Sequence, residues 1–148
     1  MASTLTRLLV HVTFSTKDRE PLIDGSIEPD SFAFVGGICR GMDSPLLAMG
    51  GTSDHVHMMV SLSKSAALAD LVMNVKRDSS VWMKDRGVRA FKWQAGYFAF
   101  TIGQSGEAGL KRYIAGQKEH HKRVDFLDEV REFLRKYRVE WDERYAWT

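Results

Sequence analysis

With a single cysteine, Cys39, the chain can close no disulfide within itself, and a reducing cytoplasm is the compartment that suits it. Long hydrophobic runs are also missing: Leu8 to Val12 is interrupted by His11 and Val56 to Val60 by His57, so neither approaches a bilayer span of roughly 20 apolar residues. No membrane partner is expected. The start of the chain has one arginine, Arg7, and no small-residue cleavage site, so its first apolar run reads as a strand and not as an export signal. Internal repeats, low-complexity tracts and linker-like stretches are absent, which leaves one domain over residues 1–148. A net charge of +2 is too small to indicate a partner by itself.

The distribution of charge says more. Lys64, Lys76, Arg77, Lys84, Arg86, Arg89 and Lys92 outnumber Asp70, Asp78 and Asp85, and Trp82, Trp93, Tyr97 and Phe98 interleave with them. Basic groups beside aromatic rings suit a single-stranded nucleic acid, whose phosphates and bases they can meet together. Most of these rings are nonetheless expected in the core.

Alternation predicts a strand over 7–15, with Leu8, Val10, Val12 and Phe14 on one face and Leu9, His11 and Thr13 on the other. A helix over 29–40 follows, then a strand over 45–49, a turn at Gly50-Gly51-Thr52 and a strand over 55–62. A helix over 66–85 and a strand over 97–102 come next, and Gly103 to Gly106 breaks the chain. Ser105 or Glu107 opens a helix running to about His121, and a last helix covers 126–138. This order predicts an α+β, ferredoxin-like sandwich: a mainly antiparallel sheet with helices on one face, plus C-terminal helices that carry Tyr113.

Two spacings carry the chemistry. His55 and His57 stand at i and i+2 of a strand, so both imidazoles project to one side, opposite the apolar face of Val56, Met58, Val60 and Leu62. Tyr113 and Gln117 stand at i and i+4 of a helical pattern and share one face. Two imidazoles and a neutral amide oxygen leave a divalent ion with open positions, suited to polarising a phosphate that a nearby tyrosine attacks. Asp54, His11 and His121 are read as groups supporting the ligands or as further site residues, with His11 a supporting group or third ligand if the first and third strands pair. Lys111, Arg112, Lys118, His120, His121, Lys122 and Arg123 surround Tyr113 and are expected to lower its phenol pKa. A closed structural zinc site is not expected, since one distant cysteine does not complete a four-ligand set. The histidine-triad hydrolase pattern fails because its third alternating position is Met59.

Several motifs in one order then add a resemblance. Asp-His-Val-His over 54–57, Lys76-Arg77-Asp78-Ser79-Ser80, Lys92-Trp93-Gln94-Ala95-Gly96-Tyr97, the stretch from Tyr113 to His121, and Phe14 to Arg19 together resemble the single-tyrosine HUH transposases. These are the small transposases of the insertion-sequence-200 type, including the REP-associated ones. The resemblance implies that His55, His57 and Gln117 hold Mg²⁺ or Mn²⁺ and that Tyr113 is the nucleophile. It further implies cleavage and rejoining of single-stranded DNA at hairpin-flanked ends through a 5′-phosphotyrosine, in a homodimer whose sites combine histidines and tyrosine from different subunits. Lys17, Arg19, Lys76, Arg77, Lys92, Lys111, Arg112 and Lys118 are the candidates for contact with DNA. A non-catalytic hairpin-binding module and a water-using metal nuclease are the alternatives.

Overall fold

The computed structural model describes residues 2–148. Its sheet comprises β1 (Leu8–Ser15), β2 (Leu46–Gly51), β3 (His55–Leu62) and β4 (Phe98–Thr101). Its order is β2-β3-β1-β4, and every neighbouring pair is antiparallel. Two helices, α1 (Glu28–Gly41) and α2 (Leu68–Asp85), connect the strands; α3 (Glu107–Ala115), α4 (Gln117–His120) and α5 (Phe126–Lys136) follow. This is the ferredoxin-like α+β order the patterning predicts, with element ends shifted by a residue or two.

Period-two alternation sorts the strand residues between two layers. Val10, Val12 and Phe14 of β1 join Val56, Met58 and Val60 of β3 under α1 and α2, whose Val35, Cys39, Leu71, Val72 and Val75 complete the main core. Burying each such side chain contributes about 1.5–3 kcal/mol, so this layer supplies most of the stability. The opposite face of the sheet is covered as well. Met59 packs with Leu110 and Ile114 of α3, while Phe100 packs with Phe126, Val130 and Leu134 of α5. Burial on both sides explains why all of β1 beyond Leu8 is buried.

Two local expectations change. Gly50 and Gly51 lie inside β2 and not in the turn after it. The helix that carries Tyr113 stops at Ala115, and Gly116 separates it from the single turn of α4 that begins at Gln117. A glycine in a helix interior costs about 1 kcal/mol relative to alanine, and here the chain yields at that point. Tyr113 and Gln117 therefore meet across a break, with Gln117 Nε2 3.4 Å from the Tyr113 carbonyl.

Candidate metal centre and nucleophile

The register of the central strands builds the site. Thr13 pairs with His57 and Ser15 with His55 across β1 and β3, so both histidines sit at the start of an inner strand, beneath the C-terminal helices. Each is 0% exposed, which rules out a pair of solvated surface histidines. Their Nδ1 atoms are fixed from behind. His55 Nδ1 is 2.7 Å from Asp54 Oδ1 and 3.0 Å from Thr52 Oγ1. His57 Nδ1 is 2.8 Å from Nε2 of buried His11. With Nδ1 occupied, each ring presents Nε2 to the space under α4 and α5, as metal-binding histidines do.

That space holds one carboxylate. Glu129 of α5 is 3% exposed, and its Oε1 lies 2.8 Å from His57 Nε2, 3.8 Å from His55 Nε2 and 3.1 Å from His121 Nε2. Its Oε2 accepts from the Tyr113 hydroxyl and from Gln117 Nε2 at 3.2 Å, and lies 3.3 Å from His120 Nε2. Gln117 Oε1 is 3.2 Å from His55 Nε2, so the amide bridges the histidine and the carboxylate. Burial pushes the Glu129 carboxyl up, but its contacts with His121, His57 and Tyr113 outweigh that and hold it well below the usual carboxylate range. Burial lowers His57, with the Glu129 charge only partly opposing it. The surrounding bases do not lower the phenol pKa of Tyr113. Burial and the adjacent Glu129 carboxylate both raise it, so Tyr113 is a neutral phenol whose proton already points at an acceptor.

His55, His57, His121 and Glu129 bring one donor atom each within 4.8 Å of one another. His121 Nε2 is buried without a hydrogen-bond partner, although Glu129 Oε1 is close. Imidazole and carboxylate donors gathered around an unsatisfied buried nitrogen fit a divalent ion.

Patterning indicated the two histidines, Gln117, Tyr113, Asp54, His11 and His121, and the fold gathers all seven. Glu129 was not among them. Its signal was an acid on the apolar stripe of the last helix, at helical spacing from Phe126 and Phe133, where an unpartnered charge would be costly.

The basic candidates disperse. Lys76 is half-buried and turns its ammonium onto the carbonyls of Gln94, Ala95 and Gly96, which ties down the loop before β4. Burial lowers its pKa to about 8. Arg77 pairs with Asp78, Lys111 with Glu107 and Lys118 with Glu28, while Arg112 is exposed on α3. Lys17 and Lys92 line a cleft of about 350 Å³ beside Arg19, and the Lys17 amide donates to the Lys92 carbonyl at 2.8 Å. A larger cleft, about 470 Å³, opens beside Asp54 and His121 with Lys118 and Lys122 on its wall.

His11 makes the metal-free protein sensitive to acid. Burial first, then repulsion from His57 and Lys136 against attraction from Glu129, pushes it down to about 3 from an ordinary 6.5. Between those values the unfolded chain binds a proton that the folded chain refuses, so the stability is present above pH 6.5 and is lost as pH falls toward 3. Some 2 kcal/mol is expected to be gone by about pH 5, with His57 acting in the same sense. Urea unfolding in chelator near neutrality and near pH 5 measures this. His11→Gln, whose amide can still donate to His57 Nδ1 without titrating, should lose about 2 kcal/mol less between those conditions.

Among the described residues no helix is long and apolar enough to cross a membrane. Nine solved chains match the fold. One, designated a transposase, from Deinococcus radiodurans R1, is 18% identical over 79% of this chain and 95% of its own, with a TM-score of 0.65. Another is the REP-associated tyrosine transposase bound to a REP hairpin, 13% identical over 84% of this chain and 76% of its own, with a TM-score of 0.62. No curated protein sequence matches the chain. The family model described as IS200-like transposase matches residues 4–117, taking in both sheet histidines and ending on Gln117, whose amide touches His55. The chain belongs to the IS200-like transposases.

Proposed function

We propose that this transposase cleaves and rejoins single-stranded DNA at hairpin-flanked ends through a 5′-phosphotyrosine on Tyr113, with a divalent metal on His55 and His57 and with Gln117 as a further ligand. One observation carries the reading. The phenol of Tyr113 and the free nitrogens of two fixed histidines converge on a single buried carboxylate, so nucleophile and metal site are neighbours within one chain. A bound divalent ion would supply charge stabilisation at the phosphoryl oxygens.

The remaining chemistry falls to side chains. Tyr113 Oη forms a bond to phosphorus as the P–O3′ bond breaks in line; the phenol proton passes to Glu129 Oε2, and O3′ takes a proton from solvent and leaves as a hydroxyl. A 3′-hydroxyl later attacks the phosphotyrosine by the reverse path and returns the phenol. Because burial keeps Tyr113 protonated, an acceptor already in contact is required, and Glu129 meets that need. Lys17 and Lys92 share one cleft, with Asp18 and Glu20 also on its wall, and offer ammonium groups suited to a hairpin's phosphates. A REP hairpin is what the REP-associated relative holds.

The test is a denaturing gel of protein incubated with single-stranded oligonucleotides taken from palindromes flanking the gene. A covalent adduct is expected with Mn²⁺ or Mg²⁺ and none in chelator. Hairpin binding without adduct or cleavage would point to a binding module instead.

A further inference from the structure

The family match ends at Gln117, yet two of the four clustered side chains able to hold a metal lie beyond it. His121 follows α4, and Glu129 is a turn inside α5. His121 Nε2 is buried without a well-formed hydrogen bond, its near neighbour being Glu129 Oε1 at 3.1 Å, and coordination would satisfy it. Its side chain is 9% exposed and packs edge-on to His55, with ring centroids 4.2 Å apart. Donors sharing one ion at about 2.1 Å stand roughly 3 to 3.4 Å apart when adjacent and about 4.2 Å apart when opposed. Glu129 Oε1 stands 2.8, 3.1 and 3.8 Å from the three imidazole nitrogens. These separations lie close to that range, and since all four donor atoms fall within 4.8 Å of one another, small side-chain shifts would seat them around one ion.

We propose that His121 and Glu129 coordinate the same ion as His55 and His57, so that three imidazoles and a carboxylate form its main shell, and that this shell selects a transition-metal dication over Mg²⁺. Magnesium favours oxygen donors and retains its waters, whereas imidazole nitrogen favours the first-row transition ions. The expected order of affinity is Zn²⁺ above Mn²⁺ above Mg²⁺. Gln117 Oε1, a neutral amide oxygen, adds little to that order. The inference rests on the metal-dependent reading above, but metal binding can be measured without DNA, so failure of one is separable from failure of the other.

The experiment titrates chelator-stripped protein calorimetrically with Zn²⁺, Mn²⁺ and Mg²⁺, and records pulsed electron paramagnetic resonance of the Mn²⁺ form to count coordinated nitrogens. Wild type should bind Mn²⁺ about tenfold or more tighter than Mg²⁺ and show three imidazole couplings. His121→Ala should drop one coupling, and His121→Ala and Glu129→Gln should each weaken Mn²⁺ about tenfold or more. Two couplings in wild type would overturn the proposal even if a variant misfolds. So would Mg²⁺ binding as tight as Mn²⁺, or unchanged Mn²⁺ affinity in both variants.

Discussion

Tyr113→Phe is expected to abolish the covalent protein–DNA adduct, a loss on the order of 10³-fold or more, while the protein stays folded and binds metal. The ring is held by edge contacts to His57 and Phe133, with centroids 5.8 and 5.7 Å away, and phenylalanine retains both. Only the hydroxyl's contacts with Glu129 and His120 disappear. Glu129 keeps His57 and Gln117 as partners, so the cost to stability should be about 1–3 kcal/mol. None of the proposed metal donors is replaced, and Glu129 loses only the phenol contact on Oε2. Denaturing gels with labelled oligonucleotide report the adduct, and calorimetric Mn²⁺ binding reports the intact centre. Cleavage that persists in Tyr113→Phe would mean that water attacks and would sink the tyrosine mechanism. Mixing Tyr113→Phe with His57→Ala extends the test. Because one chain gathers both halves of the site, the mixture should form no adduct; restored activity would establish the composite dimer that the family resemblance implies.

How far the sequence foreshadows this centre depends on the range of each signal. His55 and His57 are legible because strand geometry fixes where i and i+2 point, a rule that needs nothing outside the strand. His11 needed one further assumption, the pairing of β1 with β3, and the register His11↔Met59, Thr13↔His57 supplies it. Glu129 was out of reach for a different reason. Its place on the apolar stripe sets it apart from exposed Glu132 but names no partner; only the docking of α5 onto the histidine face makes it the hub. The Tyr113 pKa failed for the same reason. Counting nearby bases in sequence predicted attraction, but the phenol's actual partner is an anion contributed by another helix. Lys76 likewise reads as a DNA contact by composition, whereas its position on α2 directs it at a loop it cannot reveal in sequence.

Gly50 shows how such docking can be tested without touching any ligand or nucleophile. It pairs with His57 across β2 and β3, so it lies beside that histidine on the same face of the sheet. A Cβ at Gly50 would sit 2.3 Å from the Ile114 carbonyl oxygen and 3.0 Å from the Ile114 side chain. Ile114 is the residue after Tyr113, so the bare backbone at Gly50 is what lets α3 close over β2 and bring Tyr113 to the histidines. The obstruction is main chain, not a flexible side-chain end, and α3 has to move to accept a methyl group. Gly50→Ala is therefore expected to displace Tyr113 by something on the order of an ångström and to slow adduct formation about 10²-fold. Overpacking should cost about 1–3 kcal/mol, visible in urea unfolding. Mn²⁺ binding should change far less than adduct formation, because His55, His57, His121 and Glu129 lie on β3, beyond α4 and on α5 rather than on the helix that moves. Adduct formation at the wild-type rate would show that α3 does not need this close seat to present its tyrosine. Metal affinity lost in parallel with the adduct would show that the clash spreads through the whole centre instead of stopping at the nucleophile.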